Sequence, residues 1–103
     1  MTMSRHVQED RLDRMVYIAT TIGFGEVIFE RVNNDRRECI TDTGVLMVKY
    51  ITEDFLITAY IISIEKATAI FRHAYGDRRM PPYLYETIRK NAKHVKLQNI
   101  VKF

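Results

Sequence analysis

Three short turns between residues 25 and 62 leave this chain few topologies. Asn33-Asn34-Asp35 is a strong turn signal after the strand-like run 25–32. Thr43-Gly44 separates a second run, from 36 to 41 or 42, from a third at 45–51. Thr52-Glu53-Asp54 leads directly into a fourth, 55–62. Parallel neighbours need crossovers of about a dozen or more residues. Links this short therefore predict a four-stranded antiparallel meander.

The fourth run is apolar on both faces, which suits a central or fully covered strand. Period-two alternation puts Phe55, Ile57, Ala59 and Ile61 on one face and Leu56, Thr58, Tyr60 and Ile62 on the other. Thr58 and Tyr60 thus point the same way. Hydroxyls in the middle of such a strand need hydrogen-bond partners or a chemical task. A buried structural pair and an active site both remain open readings.

Helical spacing brackets the meander. A first helix is predicted from about Arg5 to Ile22, with Ser4 as N-cap and Gly23 as terminator. Its inward stripe is Leu12, Met15, Val16, Ala19 and Ile22, with His6, Asp10, Asp13 and Tyr17 opposite. A second helix, 64–75, follows Ser63 and buries Ile64, Ala67, Phe71 and Ala74. A loop, 77–82, leads to a third helix, which Pro82 opens and which carries Leu84, Ile88, Ala92 and Val95 inward. The expected fold class is α+β: an N-terminal helix, a four-stranded antiparallel meander sheet and two C-terminal helices, in the order α-β-β-β-β-α-α. With 103 residues and no repeat or linker, a single domain is expected.

The net charge of +3 conceals an asymmetry. Residues 1–62 hold seven Arg or Lys against ten Asp or Glu, a net of −3, whereas residues 63–103 hold nine against three, a net of +6. A basic C-terminal third suggests RNA or another anionic partner, with a solvated helix surface as the plainer account. Arg89, Lys93 and Lys96 share one face of the third helix, Arg78 and Arg79 precede it, and Tyr83 and Tyr85 offer stacking surfaces. These five basic residues are the candidate nucleic-acid contacts. An acidic protein partner would dock on the same basic helix, and a homodimer formed through a sheet edge or the Tyr-rich third helix is compatible with either partner. No apolar run approaches the roughly 18 residues a membrane span needs, so no membrane partner is expected. The start of the chain shows no signal-peptide core, and the lone Cys39 excludes an internal disulfide; both favour a reducing, cytoplasmic setting.

Asp42-Thr43-Gly44 is the triplet of aspartic proteases, whose chemistry needs two carboxylates sharing a proton. The later apolar-apolar-Gly motif and the Gly-rich flap of such enzymes are missing, so the triplet reads as turn chemistry. No His-x-x-His or Glu-x-x-His pair exists, and neither a metal nor another cofactor is expected.

His6, Arg11 and Arg14 on one helix, followed by a meander ending in Leu56-Ile57-Thr58-Ala59-Tyr60, resemble the barnase/RelE-like nuclease superfold, particularly its small phage and toxin branches. The likeness spans about residues 4–62 and rests on element order and scattered residues. It implies a metal-independent RNase in which a base activates the ribose 2′-hydroxyl, an acid protonates the leaving oxygen and Arg stabilises the phosphorane. The resemblance implies His6 as general acid or base, Arg11 or Arg14 as phosphate clamp, and Thr58 and Tyr60 as contacts to the scissile group. The expected catalytic set is then His6, Arg14, Thr58 and Tyr60. On an ideal helix His6 lies about 80° from Arg14 and about 140° from Arg11, so convergence needs a bent helix start or a site at the sheet rim. Binding through the basic helical face is the first expectation for function, with the RNase as its alternative.

Overall fold

The computed structural model describes residues 5–52, 56–76 and 78–99, with side chains from residue 11 onward. The side chain of His6 and the whole of Phe55 lie outside the described residues. The elements are α1 (Arg5–Thr21), β1 (Val27–Asn33), β2 (Arg36–Thr41), β3 (Val45–Tyr50), β4 (Leu56–Ile61), α2 (Ile64–Tyr75), α3 (Pro82–Lys90) and α4 (Ala92–Leu97). The four strands form one antiparallel sheet in the order β1-β2-β3-β4, so the fold is α+β as the turns predict. Sequence neighbours are sheet neighbours, which makes β1 and β4 the two edges.

Apolar side chains cover both faces. On one, Phe29, Ile40, Leu46 and Ile62 pack under Ala67, Ile70 and Phe71 of α2 and Leu84 and Ile88 of α3. On the other, Ile18 of α1 meets Val45, Ala59 and Ile61. Ser63 caps α2, its hydroxyl accepting the Lys66 amide at 3.2 Å. The β2–β3 turn is tied into the same structure. Gly44 holds φ at +83°, and a Cβ there would lie 3.1 Å from Cγ1 of Ile88. This turn therefore needs glycine both for its backbone and for the approach of α3.

Three sequence expectations need correction. The first is the buried stripe of α1. Leu12 and Val16 are 57% and 45% exposed, whereas Ile18 is fully buried. Tyr17, expected outward, packs against the second core, and its hydroxyl meets Nδ1 of His94 at 2.9 Å. The helix is rotated because it lies along an edge strand, and its inward side carries Arg14 for the strand's backbone. A stripe chosen by apolarity passes over such a residue.

The second concerns the last helix, which breaks at Asn91 (φ −90°, ψ 4°) into α3 and α4. The Asn91 amide Nδ2 donates to the carbonyl of Thr43 at 2.8 Å, anchoring the break on the β2–β3 turn. Beyond it Val95 joins the Ile18 core on the opposite sheet face from Leu84 and Ile88, and Ala92 is exposed.

The third is a bulge in β4. Val48 pairs with Thr58 but Lys49 pairs with Leu56, leaving Ile57 as the extra residue. Ile57 consequently joins the α2-covered core and Leu56 the α1-covered core, the reverse of strict alternation.

The outer edge of β4 is closed by side chains. The Gln98 carboxamide accepts the Ile61 amide and donates to the Ile61 carbonyl, both at 2.7 Å, as a neighbouring strand would. Arg14 Nε donates to the Ala59 carbonyl at 2.9 Å. Gln98 is only 4% exposed. An edge strand left unpaired is a template for association. Here Arg14 of α1 and Gln98, the residue just after α4, supply partners for three backbone groups of that edge.

Candidate nucleic-acid interface

Two groups of candidate side chains are separated in the fold. The first runs across the α2-covered face of the sheet. Arg31 pairs with Glu38, Glu38 with Val48 and Val48 with Thr58, so these residues form one row through all four strands. Arg31 Nε donates to Glu38 Oε1 at 2.7 Å, and Asn33 adds a longer bond at 3.4 Å. At the other end Arg14 Nη2 donates to Thr58 Oγ1 at 2.7 Å, and the guanidinium carbon sits 5.7 Å from the Tyr60 ring centre. The Ile18 face of α1 is on the far side of the sheet, so Arg14 reaches round the outer edge of β4. Its Nη1 also donates to Asn99 Oδ1 at 3.2 Å. Burial, and then the Glu38 carboxylate, push the Tyr60 phenol above its ordinary range, with Arg14 and Arg31 opposing. Tyr60 therefore stays protonated at neutral pH.

The structure thus brings together Arg14, Thr58 and Tyr60 of the residues expected to be catalytic. The His6 side chain lies outside the described residues. Sequence reasoning missed Glu38 and Arg31. Their signal is visible only once register is known, because Arg31 and Glu38 are seven residues apart across a hairpin. Arg11, the alternative phosphate clamp, is half-buried, and its Nη1 has no hydrogen-bond partner among the described residues.

The second group lines a hollow of about 380 Å³ between α2, the following loop and α3. Arg72, Arg78 and Arg79 surround it together with Phe71, Met80 and Tyr85. All three arginines are exposed, and none forms an ion pair with a carboxylate among the described residues. Tyr85 is 43% exposed and Tyr83 56%. Of the five predicted basic contacts, Arg78 and Arg79 enter this hollow. Arg89, Lys93 and Lys96 do not, although all three are exposed. Arg89 stands 3.9 Å from Glu86 one turn earlier, a loose solvent-exposed pair. The break at Asn91 puts Lys93 and Lys96 on a separate helix, so the three do not share one straight helix face. Arg72 was not foreseen. It lies in the last turn of α2, shortly before the loop to α3, and that position is its only signal in the sequence.

The remaining motifs have structural employment. Asp42 Oδ1 accepts the Glu26 amide at 3.0 Å, and Thr43 Oγ1 donates to the carbonyls of Gly23 and Phe24. The Asp-Thr-Gly triplet is the β2–β3 turn, clasping the segment before β1. Cys39 is buried, and desolvation, aided by the nearby Glu30 carboxylate, pushes its thiol up to about 11. That thiol is a poor nucleophile at neutral pH. Among the described residues no three His, Cys, Asp or Glu side chains gather in a form that could hold a metal ion. No helix among them is long and apolar enough to cross a membrane.

Comparison of the chain with protein-family models, with curated proteins and with solved structures returns no match. The class is therefore defined by the molecule's own geometry. It is an α+β domain whose edge strand β4 is closed by side chains and whose C-terminal helices bear an arginine-rich, aromatic-lined hollow.

Proposed function

We propose that this protein binds single-stranded nucleic acid through the basic surface of its C-terminal helices, centred on the hollow between α2 and α3. The observation that carries the reading is the meeting of Arg72, Arg78 and Arg79 with Tyr85 around one concavity. Guanidinium groups supply phosphate contacts, and an exposed ring supplies a stacking platform for a base, the pairing that single-strand binders use. The +6 charge of residues 63–103 supports the same reading by favouring approach of a polyanion. A duplex presents its bases edge-on inside grooves, and a concavity of about 380 Å³ suits an unpaired base instead. The test is fluorescence anisotropy with a labelled ten-nucleotide RNA and its duplex form. Tighter binding of the single strand, weakened in Arg78→Gln/Arg79→Gln, supports the reading; no binding at low salt removes it.

A second reading, a metal-independent RNase of toxin type, draws on the meeting of Arg14, Thr58 and Tyr60 beside the Arg31–Glu38 pair. In it His6 is the acid or base and Arg14 stabilises the phosphorane. Against it stands the present work of Arg14, which holds Thr58, the Ala59 carbonyl and Asn99. Those bonds make a structural tie at the sheet edge the simpler account of the cluster. RNA cleavage by the wild type that disappears in His6→Ala and falls in Tyr60→Phe would install the RNase reading; a wild type that leaves RNA intact would discard it.

A further inference from the structure

The hollow between α2 and α3 combines two chemistries, and together they specify a smaller ligand than a strand. Three guanidinium groups border it, while Phe71, Met80 and Tyr85 provide apolar and aromatic surface in the same concavity. Thr68 adds a hydroxyl. Sites for small ligands enclose roughly 300–1,000 Å³, and the hollow, at about 380 Å³, lies at the lower end of that range. It therefore has room for one nucleotide unit and not for a run of them.

Charge points the same way. A phosphate in a strand is a diester with a single negative charge. A phosphate monoester carries roughly −1.5 to −2 at neutral pH and presents three strong acceptor oxygens. Three arginines without a carboxylate partner among the described residues around a one-nucleotide hollow match the monoester better than the diester. The apolar and aromatic lining has no use for inorganic phosphate but suits the flat face of a base.

From this geometry we infer that the hollow is a binding site for a nucleoside monophosphate, either free or as the phosphorylated end of a single strand. The inference rests on the reading that the C-terminal helices bind nucleic acid, and it names the unit they recognise. Arg72, Arg78 and Arg79 hold the phosphate, and Tyr85 stacks on the base. The rest of the strand, where there is one, leaves the hollow across the surrounding basic surface.

The experiment compares a labelled ten-nucleotide RNA carrying a 5′-phosphate with its 5′-hydroxyl and 3′-phosphate twins, using the full chain. Adenosine 5′-monophosphate, adenosine and inorganic phosphate serve as unlabelled competitors. The expected result is at least tenfold tighter binding of one phosphorylated end than of the hydroxyl form. Adenosine monophosphate should displace it at concentrations where adenosine and phosphate do not. Tyr85→Ala should weaken the monophosphate at least tenfold while circular dichroism stays unchanged, since the ring is on the surface. Displacement by the free monophosphate with no preference between strand ends identifies the free nucleotide as ligand and supports the site. Equal affinity for all three strands, with no displacement by the monophosphate, overturns the inference and leaves strand binding standing. Displacement by inorganic phosphate as effective as that by the monophosphate also overturns it, because the aromatic lining then contributes nothing. If no RNA and no monophosphate binds, the inference and the reading beneath it both fall.

Discussion

Gln98 shows how one side chain can replace a strand. Its carboxamide satisfies both backbone groups of Ile61, a residue 1% exposed. An orphaned buried donor or acceptor costs about 1–3 kcal/mol. Gln98→Ala should therefore lower unfolding stability by about 2–4 kcal/mol in urea titrations, whereas Lys93→Ala, at an exposed position, should change it by less than about 0.5 kcal/mol. Arg14 and Thr58 are coupled in the same region. A double-mutant cycle of Arg14→Met and Thr58→Val should show an interaction of about 1–3 kcal/mol, and additive effects would mean that the 2.7 Å bond contributes little. Cys39 and Tyr60 bear on pH. Both are raised in the folded state, so folding holds their protons more tightly than the unfolded chain does. Their contribution is fully present below the unfolded pKa and is lost as pH rises. For Cys39 that window runs from the ordinary 9.0 to about 11. Stability should fall across it, and the fall should be smaller in Cys39→Ala, as urea midpoints at successive pH values would record.

Among the elements, the β2–β3 turn positions more than its two strands. Asp42 and Thr43 clasp the residues before β1, Thr43 receives Asn91, and Gly44 admits Ile88. Gly44→Ala meets both an unfavourable φ and a 3.1 Å contact, and it should cost about 1–3 kcal/mol and disturb the seating of α3. Near-wild-type stability and unchanged tyrosine fluorescence would show that α3 is held elsewhere. The meander and its order were legible from turn residues and link lengths, because short links admit one pairing. The face of α1 was not. Apolar spacing put Val16 inward, but the helix lies on an edge whose needs are polar, and Arg14 answers them. The break at Asn91 was hidden for a related reason: it is fixed by a bond to Thr43, 48 residues away. Thr58 and Tyr60 could be placed on one face from alternation alone. Glu38 and Arg31 needed the register, and Arg72 needed the packing of the following loop and α3 beside α2.

For the whole molecule, the division of charge is also a division of labour. The acidic part, residues 1–62, builds the sheet and α1 and ties several of its charged groups into bonds such as Arg31–Glu38 and Arg14–Thr58. The basic part, residues 63–103, leaves Arg72, Arg78 and Arg79 exposed around a concavity. Counterion release ties such a surface to ionic strength, with a slope of about −0.7 per phosphate contact on a single strand. The most direct test of the account is therefore the salt dependence of affinity for a ten-nucleotide single-stranded RNA, measured for the wild type and for Arg72→Gln/Arg78→Gln/Arg79→Gln. The account predicts a linear fall of log K with log salt in the wild type, and a shallower slope in the triple variant. An affinity indifferent to salt, or a triple variant with the wild-type slope, would contradict it.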